Sequence, residues 1–150
     1  MITIIAERPS VAAGIAAVVG ARKREDGFIS GDGYCITWAF GHLIELAPPD
    51  VYGYGGKWEK EKLPILPDKF RTRTIESRDK KTESLYKKQL KTITSLFRKS
   101  DTIIVATDAG REGELIFRYI FEYVQEQVKI QATVKRLWIS SLTEKSIREG

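Results

Sequence analysis

The sequence predicts an α/β fold: a mostly parallel sheet flanked by helices, with an antiparallel hairpin and a long loop inserted after the first helix. Three observations carry this. Ile103, Ile104, Val105 and Ala106 form a short apolar run, mostly β-branched, as a buried strand requires. Directly after it, Leu115, Ile116, Tyr119, Ile120, Tyr123 and Val124 recur at helical spacing. The same order opens the chain, where β-branched residues 2–6 precede Val11, Ile15, Val18 and Val19 on one helical face. An amphipathic helix feeding the second unit makes it a βαβ crossover.

Taken in order, residues 2–6 form the first strand, with Glu7 at its carboxyl end and Pro9 suited to a first helical turn. Gly20 stops that helix. Residues 22–26 read as a short charged turn. Residues 28–30 and 34–40 flank Gly31-Asp32-Gly33, a hairpin signal. Residues 48–81 read as irregular, broken by Pro48, Pro49, Pro64, Pro67, Gly53, Gly55 and Gly56. In this stretch Tyr52, Tyr54, Trp58 and Phe70 are interleaved with Lys57, Lys60, Lys62, Arg71 and Arg73. Such a pattern either stacks bases and tracks phosphates or pins a loop to the core while its lysines face water. The crossover helix spans residues 84–99, with Tyr86, Leu90, Ile93 and Phe97 inward and Lys87, Lys88, Lys91 and Arg98 outward. Residues 132–139 form a last strand, and Ser141 with Glu144 reads as a capping box for a final short helix. The chain stops at Gly150, a few residues into that helix, as expected of a piece of a longer protein.

Composition sets bounds. At 150 residues the chain suits one domain with a real core. The charge of +5 permits a polyanionic partner without demanding one. Cys35 is the sole cysteine, which excludes an intrachain disulfide and a cysteine-based zinc site. No apolar run reaches membrane-spanning length, and no signal-type segment opens the chain, so the expectation is a cytoplasmic protein.

The chemistry concentrates where the second strand meets its helix. Asp108, Glu112 and Glu114 crowd the carboxyl end of a strand, the ligand-binding edge of open α/β sheets. Carboxylates so placed repel one another unless a cation or proton sits among them. Mg2+ favours such oxygens and keeps several waters, so it needs few protein ligands. A plainer reading has Asp108 capping the helix, with Glu112 and Glu114 facing the positive end of its dipole. Glu7 stands at the equivalent point of the first unit, which two parallel strands would bring to the same edge.

Residues 106–114 (ATDAGREGE) resemble the acidic motif of the Toprim domain, a Rossmann-like fold, in type IA DNA topoisomerases, and more narrowly the topoisomerase III branch. Residues 4–12 (IIAERPSVA) resemble that domain's first strand and glutamate. Residues 39–46 (AFGHLIEL) are similar to the Gly-His-Leu segment of topoisomerase III, and residues 136–147 (RLWISSLTEKSI) to the close of the domain. The resemblance spans nearly the whole chain. One position departs from it: the family usually reads Asp-x-Asp before Arg-Glu-Gly-Glu, and this chain has Gly110 at the second aspartate. Metal affinity is the property this bears on.

The resemblance implies an isomerase that cuts one DNA strand through a tyrosyl-phosphate, passes another strand and reseals. Glu7 would be the general acid/base at the leaving sugar oxygen, and Arg8 would pair with the scissile phosphate. Asp108 and Glu112, with Glu7, would hold Mg2+. Arg111 and Glu114 belong to the same motif, Arg111 equally as a salt-bridge partner steadying the acids. His42 would lie near DNA, although a lone histidine is more often packed or hydrogen-bonded. Tyr34, Tyr52, Tyr54, Tyr86, Tyr119 and Tyr123 all lack the context of the family's nucleophile. The implied partners are therefore single-stranded DNA and further domains of the same polypeptide, carrying the catalytic tyrosine. Two other expectations stand beside this one: a Toprim nuclease or primase, and a non-enzymatic nucleic-acid-binding module whose metal site has lapsed.

Overall fold

A computed structural model describes residues 1–56 and 59–150, so Lys57 and Trp58 of the aromatic-basic stretch lie outside the described residues. The elements run β1 (Ile2–Ala6), α1 (Pro9–Val18), β2 (Lys23–Glu25), β3 (Phe28–Gly31), β4 (Tyr34–Trp38), β5 (Ile44–Leu46), β6 (Thr72–Thr74), α2 (Lys80–Lys99), β7 (Thr102–Ala106), α3 (Arg111–Gln125), β8 (Thr133–Arg136) and α4 (Glu144–Glu149). Six strands form one sheet in the order β2-β3-β4-β1-β7-β8. β1 pairs in parallel with β4 and β7, and β7 with β8, while β3 is antiparallel to β2 and β4. The fold is the mostly parallel α/β sheet that the sequence predicts.

The central strands read as unbroken apolar runs because both of their faces are covered. Alternate residues divide between two cores. Ile5, Ile103 and Val105 pack with Leu90, Ile93 and Phe97 of α2 and Ile116, Phe117 and Ile120 of α3. Ile4, Ala6 and Ala106 point to the opposite face, with Ala12, Ile15 and Ala16 of α1 and Ile147 of α4. The two helical layers hold the strand ends in register, Ala6 beside Ala106.

The hairpin is a two-residue turn. Asp32 (φ 47°) and Gly33 (φ 83°) are both left-handed, and Gly31 pairs with Tyr34 across it. Several boundaries differ from expectation. Residues 23–25 are a strand rather than a turn. A charged Lys-Arg-Glu segment is at home on a sheet edge, where charge discourages further pairing. Within the expected irregular stretch, β6 pairs antiparallel with β5. α2 begins at Lys80, about one turn early, because the Asp79 carboxylate accepts from the backbone N–H groups of Lys81 and Thr82 at 3.2 and 3.0 Å. β8 is shorter than residues 132–139. Thr143, not Ser141, caps α4, accepting from Ser146 N. Leu115 is 41% exposed, and fully buried Phe117 packs in the core beside Ile116 and Ile120. No helix among the described residues is long and apolar enough to cross a membrane.

Candidate active site

Adjacent parallel strands deliver the two acids to one edge. Glu7 follows β1 and Asp108 lies two residues past β7, and the backbone N–H of Asp108 donates to Glu7 Oε2 at a long 3.4 Å. The Glu7 side chain is only 12% exposed, whereas Arg8 beside it is 73% exposed and 4.0 Å away, a loose contact. After β4 the chain folds back over this edge through Phe40 (φ 55°) and Gly41 (φ 81°), and Gly41 N donates to the Glu7 carbonyl at 3.0 Å. A left-handed phenylalanine is uncommon and costs energy that its surroundings must offset. The fold-back carries His42 across to α3, where Nε2 lies 3.2 Å from Glu112 Oε1.

Asp108 does not cap α3. Gly110 occupies the N-cap position, with no side-chain cap, in an extended conformation (φ −156°, ψ 176°). Gly110 needs no glycine conformation, and a Cβ there would meet nothing within 4 Å. Gly113 answers a different demand: a Cβ on it would stand 2.1 Å from the Asp108 carbonyl oxygen. The first turn of α3 thus packs directly on the Asp108 backbone. Buried Thr107 ties the two together, donating from Oγ1 to the Gly113 carbonyl at 2.7 Å.

Arg136, at the end of β8, is the site residue that sequence reasoning missed. Its Nη2 donates to the Asp108 carbonyl at 2.8 Å and its Nη1 to Thr107 Oγ1 at 3.3 Å. It also lies 3.6 Å from Glu114, which Arg118 binds at 2.7 Å. Among the described residues the salt bridges to Glu114 come from Arg118 and Arg136, while Arg111 is exposed and makes none. No periodicity marks Arg136. Only its place at the carboxyl end of the strand paired with β7 brings it here.

The donor chemistry fits a hard divalent ion: the available groups are carboxylate oxygens, and Mg2+ retains much of its water. The arrangement is open. Among the described residues no three His, Cys, Asp or Glu side chains are grouped to hold a metal. Glu7 meets Asp108 through the backbone, and Glu112, 79% exposed, turns to His42. Closing a cage would require Glu112 to swing, which an exposed side chain can do at little cost.

An α/β sheet covered by helices on both faces, whose carboxyl edge gathers acids from neighbouring strands, one of them against a glycine-packed helix, is a Toprim-type architecture. The chain belongs to the Toprim domain family, which it matches over residues 3–142. It is 44% identical over 148 residues to DNA topoisomerase 3 of Bacillus cereus, a match covering 98% of this chain and 19% of that protein. It is 42% identical over 150 residues to DNA topoisomerase 3 of Bacillus subtilis, with the same 98% and 19% coverage. Full-length topoisomerase I of Thermotoga maritima shares the fold, with a TM-score of 0.57 and 22% identity over 98% of this chain and 20% of that one. The chain thus spans about a fifth of the length of these relatives.

Proposed function

We propose that this chain is the Toprim half of the active site of a type IA DNA topoisomerase of the topoisomerase III kind, working on single-stranded DNA. The observation that carries this is the pairing of Glu7 with the Asp108 turn across two parallel strands, 3.4 Å apart, with Arg136 holding the turn from its other side. Similarity to the bacillary enzymes supports the choice of reaction.

In this reading a tyrosine from another domain of the same polypeptide attacks the scissile phosphate, its phenolic proton passing to solvent as the bond from phosphorus to the sugar oxygen breaks. Glu7 donates a proton to the departing sugar oxygen and takes it back on resealing. Its side chain stands at the same edge as the Asp108 turn, where the phosphate of a bound strand would lie. Arg8, exposed beside it, reaches toward a phosphate as a fork of donors. Asp108 and Glu112 would hold Mg2+, with Glu7 as a further ligand once it has given up its proton. The ion, when bound, supplies positive charge that steadies the phosphate for resealing. Arg136 and Thr107 keep the Asp108 backbone still, and His42 holds Glu112 until a cation or DNA competes for it.

The test uses the parent polypeptide. Glu7→Gln should slow strand cleavage far more than it weakens DNA binding, and an equal loss of both would reduce Glu7 to a binding or structural residue. The 150-residue chain by itself should neither relax supercoiled plasmid nor form a covalent DNA adduct, with or without Mg2+. A phosphotyrosyl link on one of its own tyrosines would overturn the assignment, and Mg2+-dependent nicking would favour a Toprim nuclease instead.

A further inference from the structure

We propose that Trp138 is a stacking platform for one base of a single strand, a subsite that rests on the reading that the strand's phosphate lies beside Asp108. Trp138 is 71% exposed, an unusual state for so large an apolar ring. It stands two residues past β8 and borders two hollows. One, of about 530 Å³, also takes in Asp108, Ala109 and Leu142, so Trp138 and the acidic turn face the same space. The other, of about 620 Å³, runs along the outer flank of α3 and is walled by Leu115, Arg111, Arg118 and Arg136.

Leu115 and Trp138 together form an apolar floor, both exposed where burial would stabilise them. Around that floor stand three guanidinium groups against one carboxylate, Glu114, which Arg118 and Arg136 already share. The rim therefore attracts an anion while the floor suits a flat, uncharged face. A single nucleic-acid strand offers both, phosphates on one side and unstacked bases on the other. A duplex offers the phosphates but hides its base faces. An acidic protein segment would also meet floor and rim, but it has no base face to stack, and in that case Trp138→Leu would leave oligonucleotide binding unchanged. The juxtaposition of ring and guanidinium groups fits the single strand, with a base seated on Trp138 and a neighbouring phosphate against the Arg111, Arg118 and Arg136 rim, beside the acidic turn.

The experiment measures binding of the 150-residue chain to a fluorescein-labelled thymidine oligonucleotide at low ionic strength. A matched oligonucleotide with abasic sites serves as the second probe. The proteins are the wild type, Trp138→Leu, which keeps apolar bulk but loses the ring face, and Trp138→Phe, which keeps a ring. Trp138→Leu should weaken binding to the intact strand roughly tenfold and leave binding to the abasic strand unchanged. Trp138→Phe should retain most of the affinity. Thermal melts of all three should coincide, since the side chain is largely solvated. Equal loss on both strands, no loss on either, or no measurable binding by the wild type would overturn the proposal. Failure here leaves the topoisomerase reading intact, because that is judged by cleavage in the parent Glu7→Gln variant. A failure of that variant would likewise leave the stacking result standing.

Discussion

Replacing Gly110 by aspartate restores the carboxylate that the family's pattern has at this position, and the structure says what should follow. The backbone is extended (φ −156°, ψ 176°) and a Cβ would meet no atom within 4 Å, so neither strain nor clash opposes the change. Removing a glycine narrows the unfolded ensemble, worth about 0.4–1 kcal/mol. The new side chain also sits at the N-cap of α3, where aspartate is better than glycine by a few tenths of a kcal/mol. Against this stands repulsion from Asp108 and Glu112, about 0.5 kcal/mol each if they lie roughly 8 Å away through water. These effects nearly cancel, so without metal the melting temperature should move by no more than about 2 °C. With Mg2+ the balance changes. A unit charge about 4 Å from a divalent ion in water gains about 2 kcal/mol, or roughly thirtyfold in affinity. Competition from capping α3 should reduce that to about tenfold. Calorimetric Mg2+ titration of the wild type, Gly110→Asp and Asp108→Ala, with melts alongside, reads both effects. A Gly110→Asp protein that folds normally and binds Mg2+ no more tightly refutes the idea that this is an empty ligand position. A fall in melting temperature of more than about 4 °C refutes the backbone reasoning instead.

Three further outcomes follow from the packing. Gly113→Ala should destabilise by about 3 kcal/mol or more, because its Cβ would stand 2.1 Å from the Asp108 carbonyl oxygen, and urea unfolding would show it. A normal midpoint would mean that α3 does not pack on this turn. Gln89→Leu should cost about 1–3 kcal/mol in the same assay, since the buried Gln89 amide serves the carbonyls of Gly27 and Trp38 at 3.0 and 2.8 Å. A midpoint within error of the wild type would show that these carbonyls find other donors. Asp79→Ala should lower the melting temperature at neutral pH by removing the cap of α2. Hydrogen bonds from Thr82 and Lys81 depress the Asp79 pKa in the folded chain. Its contribution is therefore full above the unfolded value of about 3.9 and fades as pH falls through the lower folded value. The two melting curves should converge in acid, and a gap that persists at all pH values would assign the effect to helix propensity alone.

Local pattern carried much of this protein. Both strand-turn-helix units, the Asp32-Gly33 hairpin, the inward face of α2 and the placing of Glu7 and Asp108 at strand ends are legible because each is written in neighbouring residues with a period of 2 or 3.6. The motif at residues 106–114 likewise points to the Toprim family, which the match over residues 3–142 bears out. Short edge strands were less legible. β2, β5 and β6 hold three residues each, too few for a period to show, and their pairing depends on partners that local sequence does not name.

Contacts between distant residues were settled only by the tertiary structure. Arg136 reaches Asp108 across 28 positions, and His42 reaches Glu112 across 70. The two glycines of the motif look alike in sequence, yet Gly113 is required by a backbone atom five residues away in chain order, while no neighbouring atom requires a glycine at position 110. Which face of α3 is buried also belongs here: helical spacing allowed Leu115, but the sheet packs against Phe117 and leaves Leu115 beside Trp138 in solvent. The physical reason is the same throughout. A chain's periodicity records what each segment buries, but the identity of the atom it meets depends on where other segments are docked, and that is a property of the whole fold.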